Sequence, residues 1–360
     1  MELLDPLGSP GTWEDCLAQY PEATPFHSSA WARVLHRTYG HQPFHLRIVA
    51  ENSPSVSSSF RPASLIPLGE VRSRCTGYRG VGLPFADLAP PLLLPGHNSG
   101  SCQDALIHLA RQRNWDWLEL RGVSREMLPD PSAPPAFLGH CLDLTPDPGI
   151  LFGQLAGSVR RALRKAAASD LTFRISQDRE GIRQYMQLHA LTRRRHGLPP
   201  QPRAFFENLQ EECLSKADIG FVALAEGQGR AVAAAVFLRL GRQAVYKFGA
   251  SDERTWDCRP NQFVMWESIR HLAESGVRSL HFGRTTPGQE GLLRYKRSWG
   301  AVERPIHYLR WRKKTGLWQS VAPAAAPGLS RSASLRSAFF KSLPAPLTRL
   351  AGRALYPHLD

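Results

Sequence analysis

YKFGASDERTWDCRPNQFVMWESIRHLAESGVRSLHFGRTTPGQEGLLRYKRSWGA, residues 246–301, is the stretch whose reading decides the fold. It opens on the end of a strand. Pro260–Ser275 then predicts a helix, with Pro260 in the first turn, where a missing N–H costs nothing, and Gly276 just past the end. Its apolar stripe is Phe263, Trp266, Ile269 and Leu272 or Ala273. Ser279–Gly283 reads as a short strand, Gly288–Ser298 as a helix and Val302–Arg312 as a final strand. Upstream, Ile219–Glu226, Ala231–Leu240 and Gln243–Ser251 are three strands at hairpin spacing. Their linkers, Gly227-Gln-Gly-Arg and Gly241-Arg, carry the glycines that tight turns need. Before them come a long helical stretch, Pro146–Ser169, a strand, Leu171–Ser176, and an amphipathic helix, Arg179–His196. A Pro-rich break over Gly197–Pro202 and a helix over Ala204–Ser215 complete this half.

The first half also alternates strand and helix. Pro25–Tyr39 sets Phe26, Ala30, Trp31, Val34 and Leu35 at helical spacing, with Ser28 or Ser29 as N-cap. His45–Glu51 and Pro62–Val71 predict a hairpin about the Ser-rich turn Asn52–Ser59. Gly77–Pro95 is so rich in Gly and Pro that a structured loop is expected there. Ser101–Arg113 predicts a helix, Asp116–Arg121 a strand, and the prolines of Pro129–Pro135 a surface excursion near a domain boundary. A chain of 360 residues can bury two cores. The expected organisation is a domain over 1–143, a second over 144–314, and a basic tail over 315–360 made of a linker and short helices.

Hydrophobic residues make up 42% and charged residues 21%, the balance of a globular protein. No run reaches the roughly 18 apolar residues that cross a bilayer. The N-terminus is acidic and broken by Pro and Gly, unlike a secretory signal. Six scattered cysteines without a Cys-x-x-Cys pair argue against a zinc site or a disulfide framework and fit a reducing cytoplasm. The net charge of +14 and pI near 10 favour polyanionic partners: nucleic acid, anionic lipid, or nucleotide-linked and phosphorylated substrates. The tail carries Arg331, Arg336, Lys341, Arg349 and Arg353 against Asp360 alone, which leaves peripheral contact with the inner membrane open.

The segments YKFGASD (246–252), PNQFVMWESIRHLAESG (260–276) and LHFGRTTPGQEGLLRYKRSWGA (280–301) together resemble the Fem-like acyltransferases of the Gcn5-related N-acetyltransferase superfamily. SVRRALRKA (158–166), QLHALTRRRHGLPPQP with Phe205-Phe206, and, more loosely, TPFHSSAW, SLIPL and GLPFADLAPPLL extend the likeness over residues 20–312. Within the family the sequence is most similar to the branch found beside exopolysaccharide and exosortase systems. The resemblance implies an α/β (α+β) fold: two tandem acetyltransferase-like domains, each a mixed, mostly antiparallel sheet flanked by helices. It also implies amide-forming acyl transfer to an amine, with acyl-CoA (acetyl-CoA) or aminoacyl-tRNA as donor and no metal. The acceptor would be a sugar or a nucleotide- or lipid-linked cell-envelope or exopolysaccharide precursor.

Such chemistry needs a neutral amine, a stabilised oxyanion and a proton for the leaving group. In the family, the lysine matching Lys296 holds an anionic substrate group near the reaction centre. Tyr246 and Ser251 are candidates to donate to substrate or leaving group, and Asp87 is the N-terminal carboxylate that would accept the amine's proton. Arg284, at a strand end before a Gly/Pro-rich turn, is a candidate phosphate ligand. That turn lacks the Arg/Gln-x-x-Gly-x-Gly/Ala spacing of acetyl-CoA enzymes. Arg160, Arg161, Arg164 and Lys165 lie within two helical turns, and Arg161 and Lys165 are taken as phosphate ligands. His189 and Arg193, four residues apart, share a helix face and are candidates for acceptor contact. Trp266 and Trp299 read as core. Two other functions compete: a catalytically silent Fem-like protein that binds an anionic glycan carrier or RNA, and a nucleic-acid-binding protein suggested by charge alone.

Overall fold

A computed structural model describes residues 2–49, 63–94, 99–323 and 331–359; the Ser-rich turn Asn52–Ser59 lies outside them. The first stretch of chain forms β1 (Glu2–Leu4), α1 (Pro10–Leu17), α2 (Ser29–Tyr39), β2 (Gln42–Val49), β3 (Ala63–Ser73) and β4 (Gly77–Val81). Next come α3 (Ser99–Gln112), β5 (Trp117–Val123), β6 (Phe137–Asp143), α4 (Pro148–Gln154) and α5 (Gly157–Ala167). β7 (Thr172–Ser176), α6 (Arg179–His196) and α7 (Arg203–Leu209) follow, and one π-helical stretch, Gln210–Lys216, prolongs α7. The chain continues through β8 (Gly220–Gly227), β9 (Arg230–Leu240), β10 (Gln243–Ser251), α8 (Pro260–Glu274), β11 (Ser279–His281) and α9 (Glu290–Arg297). It ends with β12 (Val302–Arg312), β13 (Trp318–Ser320), α10 (Arg331–Ser342) and α11 (Ala345–Leu355).

These elements divide into two compact units, and each is assembled from segments that are not contiguous in the sequence. The first is Met1–Leu138 with Pro305–Ala324 and Leu355–Asp360; the second is Gly139–Arg304 with Ala325–Ala354. The division differs from contiguous blocks over 1–143, 144–314 and 315–360. Residues 305–324 lie with the first unit because β12 pairs there with β5, from His307↔Val123 to Arg312↔Trp117.

Each unit is a mixed, mostly antiparallel sheet with helices against it. In the first, β1, β2, β3 and β4 pair antiparallel, β4 and β5 run parallel, and β12 and β13 follow antiparallel. In the second, β7 to β10 are antiparallel, β10 and β11 run parallel, and β6 closes the row antiparallel to β11. The order strand, two helices, three strands, helix, strand occurs in each, so the fold class is the one expected. Among the described residues no helix is long and apolar enough to cross a membrane.

Local chemistry explains most boundaries. The β8–β9 hairpin turns through Gln228 and Gly229, both at positive φ (52° and 73°), the geometry that matches strand twist. Asp178 caps α6 by accepting from the Gly181 N–H, and Gly197 ends it at φ 62°. The single helical stretch expected over 146–169 is instead two helices. Leu155 and Ala156 are extended, and the Ala156 N–H donates to the Ser298 carbonyl at 2.9 Å in place of a helical bond. Likewise the loop expected over Gly77–Pro95 begins as strand β4. There Gly80 is needed because a Cβ would run into the Trp115 ring. Trp299 is fully buried in the second unit's core and Trp266 packs against it.

Candidate active site

β10 positions the site by leaving its neighbours. It pairs with β11 only from Gln243 to Val245, and its register with β9 slips between Tyr246 and Phe248, so Lys247 is bulged. Past that point β10 continues alone alongside β9. A bulge of this kind re-aims side chains and ends pairing. A cavity of about 290 Å³ lies beyond it, lined by Tyr246, Gly249, Ala250 and Ser251 of β10 and by Leu292, Tyr295 and Lys296 of α9. Thr192, Arg195 and His196 of α6 and Asn261, Gln262 and Met265 of α8 also line it. Gly249 is dictated by packing, since a Cβ there would overlap the Tyr246 hydroxyl.

Lys296 is 4% exposed, and its ammonium donates to the carbonyls of Gly283 (2.7 Å) and Arg284 (3.1 Å). It thus ties α9 to the turn after β11 while lining the cavity. Tyr246 and Tyr295 are both protonated phenols at neutral pH. Burial pushes Tyr295 up to about 12 and Tyr246 further still. Ser251 is fixed in place: its hydroxyl accepts from Trp256 Nε1 (3.1 Å) and Asn261 Nδ2 (3.0 Å), and its N–H donates to Thr192 Oγ1 (3.1 Å). His196 has its pKa lowered, by partial burial and then by Arg195, Arg193 and Lys341, so its imidazole is neutral near pH 7.

A larger cavity of about 570 Å³ shares Gln262 and Tyr295 with the first. Its walls are α5, the start of α8 and α9. Arg161, Lys165, Arg259 and Arg294 line it, and no carboxylate does. A third cavity, about 420 Å³, shares Arg195 and Ser251 with the inner one and is lined by Arg194, Arg254 and Lys341 with Asp252 and Glu253. Asp252 is held at about 2, first by the hydrogen bonds of Arg254, so it is a committed anion rather than a base. Among the described residues no His, Cys, Asp or Glu group could hold a metal ion.

Of the residues singled out in the sequence, Lys296, Tyr246 and Ser251 meet in the inner cavity, and Arg161 and Lys165 meet in the cationic one. Others lie elsewhere. His189 packs among Tyr185, Phe206 and Phe248, bonds Gln201 Oε1 at 2.8 Å and lines none of these cavities. Arg193 donates to the Pro199 carbonyl (3.1 Å). Arg284 contributes its carbonyl to Lys296 and lines none of these cavities. Asp87 belongs to the first unit, where its carbonyl accepts from Tyr308 (3.0 Å). Sequence reasoning missed Arg259, Arg294, Tyr295, Thr192, Arg195 and His196. The signal was present for several: α6 turns residues 192, 195 and 196 to the cavity, a face displaced by one turn or less from His189 and Arg193. The cations converge at the start of α8, and the turn after β11 contributes none of them.

Residues 154–297 match the family model described as an acetyltransferase (GNAT) domain. The fold is similar to that of several solved two-unit proteins. It superposes on the crystal structure of FemX with TM-score 0.63 and 12% identity, over 85% of this chain and 95% of that one. It is also similar to L-PGS from Bacillus licheniformis (TM-score 0.54, 13% identity, 95% and 97% covered). A third likeness is to the C-terminal domain of a putative lysylphosphatidylglycerol synthetase from Agrobacterium fabrum (TM-score 0.53, 11% identity, 82% and 90% covered). No curated protein matches the sequence.

Proposed function

We propose that this protein is an amide-forming N-acyltransferase. Its donor is polyanionic, an acyl-CoA or an aminoacyl-tRNA, and its acceptor is an amine on a sugar or on a nucleotide- or lipid-linked envelope or exopolysaccharide precursor. One observation carries the reading: a cavity walled by Arg161, Lys165, Arg259 and Arg294 without a carboxylate opens beside a smaller one that holds Lys296 and two phenols. Phosphates of a donor suit the first, and the acyl carbonyl suits the second.

The residues divide the work as follows. The amine nitrogen attacks the acyl carbon, and His196, neutral near pH 7, takes the amine's proton. Negative charge gathers on the carbonyl oxygen, where the Lys296 ammonium stabilises it. As the bond to sulfur or to the ribose oxygen breaks, Tyr246 or Tyr295 gives its proton to the leaving atom. A cytoplasmic place for this chemistry accords with the cysteine usage. The putative lysylphosphatidylglycerol synthetase among the similar structures is named for joining lysine to a lipid headgroup, which favours carrier-linked acceptors.

A thermal-shift series with acetyl-CoA, aminoacyl-tRNA and UDP-amino sugars tests the proposal. A donor should stabilise the protein, and the shift should disappear in Arg259→Ala/Arg294→Ala. In turnover assays His196→Gln should remove the acidic limb of the pH profile of kcat/KM. Stabilisation by RNA of any sequence, fading steeply with salt and indifferent to the two arginines, would point to the silent binding protein instead.

A further inference from the structure

The second unit's part of the tail is built the wrong way round for a packing helix. α11 buries Thr348 and Gly352, one turn apart, and a Cβ at Gly352 would strike the Pro200 carbonyl. Its leucines face outward: Leu347 is 49% exposed and Leu350 is 62% exposed. At 100° per residue, Leu347, Leu350 and Ala354 form one stripe, and Arg353 and Arg349 follow along its edge. All five are exposed. α10, which packs on α6 with Ser337 Oγ bonded to the His196 carbonyl (3.1 Å), adds an exposed Phe339 (58%) and Lys341. No Asp or Glu occurs between residues 316 and 359.

Ordinary amphipathic helices bury the apolar stripe and expose the small or polar one. Here the reverse arrangement is combined with arginines beside the leucines and an absence of carboxylates. We infer that α10 and α11 form a docking surface for an anionic lipid bilayer. Leu347, Leu350 and Phe339 enter the headgroup boundary, and Arg349, Arg353 and Lys341 meet lipid phosphates. Charge complementarity selects this occupant: a protein partner would need an acidic face, whereas anionic lipid supplies phosphates at any orientation in the plane, and long basic side chains reach them from a shallowly seated helix. The surface also bears on the site. Lys341 lines the third cavity with Arg194, Arg195 and Arg254, so docking would bring that cavity to the interface where a lipid-linked acceptor resides. The lipid-docking inference stands on the tail alone and does not depend on the acyl-transfer reading.

Co-sedimentation of the full-length protein tests it, with vesicles of phosphatidylglycerol in phosphatidylcholine against phosphatidylcholine alone. Binding should require the anionic lipid and weaken with salt. Leu347→Glu/Leu350→Glu and Arg349→Gln/Arg353→Gln should each lower the partition coefficient roughly tenfold or more. Because these positions are exposed, the variants should melt like the parent, which separates lost docking from lost folding. Absent binding to anionic vesicles, or binding unchanged in both variants, overturns the inference. So does a light-scattering result in which the parent self-associates and Leu347→Glu/Leu350→Glu is monomeric, since the face would then belong to a second copy.

Discussion

In the first unit buried charges meet side chains of the same unit, whereas in the second a set of cations faces open cavities. Glu70 is 2% exposed and accepts from Arg113 (3.0 Å), Trp115 Nε1 (2.7 Å) and Arg72 (2.6 Å). Burial alone would raise its pKa, but those donors hold it below the ordinary value. Glu119 is enclosed by Arg121 and Arg310 in the same way. Arg79 donates to Thr76 Oγ1 (2.6 Å) and to the His358 carbonyl (2.9 Å) from the chain's own end. In the second unit, Arg161, Lys165, Arg259 and Arg294 converge on a cavity lined by no carboxylate. The strands differ correspondingly. β3 and β4 pair without a slip from Gly69↔Val81 to Ser73↔Gly77, whereas β10 is bulged at Lys247 and parts from β11. One order of elements thus carries buried carboxylates enclosed by arginines in one case and a positively lined cavity in the other.

Removing one buried charge from each unit should have opposite consequences. Lys296→Met should reduce turnover about 10²- to 10³-fold, the usual loss when one oxyanion donor is removed. Glu70→Gln should leave turnover alone yet destabilise the fold by about 3 kcal/mol, because it leaves Arg113 beside a buried site without its counter-charge. Steady-state kinetics and urea unfolding of both variants would decide. A Glu70→Gln protein that unfolds like the parent would mean that the first unit's charges are not an internal network.

Acid should act on both units through their buried imidazoles. His27 is fully buried and sits at about 4; its Nε2–H donates to the Pro90 carbonyl (2.9 Å) and its Nδ1 accepts from the Thr24 N–H (3.1 Å), so the neutral form is the one the pocket fits. His45, edge-on to Trp13, is pushed to about 3, and His189 to about 4, in each case chiefly by burial. Below an ordinary histidine value of about 6.5 the unfolded chain binds protons that the folded chain refuses. Stability is therefore full above that value and falls as pH drops toward 4, by about 1.4 kcal/mol per pH unit for each imidazole. Urea titrations across that window should show the slope, and His45→Phe should reduce it by one histidine's share. An unchanged slope in that variant would exclude His45 as a contributor.

Much of the second unit was legible in its sequence for a physical reason. Hairpin glycines, Pro260 at a first turn and Gly197 after a helix act locally, and β8 to β10 and α6 lie within a residue of their expected bounds. Tertiary causes were not legible. The Ala156–Ser298 bond that divides α4 from α5 joins residues far apart in sequence. β4 is a strand because Trp117 and its neighbours pair with it, despite its glycines. The site was read in part for the same reason. Lys296, Tyr246 and Ser251 lie in the quoted segment, and Arg161 and Lys165 in an evident basic run. Arg259, by contrast, matters only because α8 begins there at φ 56° beside α5, and His196 only because α6 turns that face to β10.

Two glycines that line the two adjoining cavities should behave differently, and the second gives the smallest effect. Gly249→Ala forces Tyr246 aside, since the added methyl overlaps its hydroxyl. An overpacking cost of about 1–3 kcal/mol should accompany loss of activity. Gly291 lines the cationic cavity on α9 and has nothing within 4 Å of an added Cβ. Gly291→Ala should therefore stabilise the fold slightly, by about 0.5 kcal/mol, through a less flexible unfolded chain. If that cavity seats the donor, the methyl narrows it, and KM for the donor should rise while kcat and the unfolding midpoint hold or improve. A Gly291→Ala enzyme with unchanged donor KM would place the phosphates nearer Arg161 and Lys165 on α5 than the start of α9, and would so divide the cationic cavity into a used and an unused half.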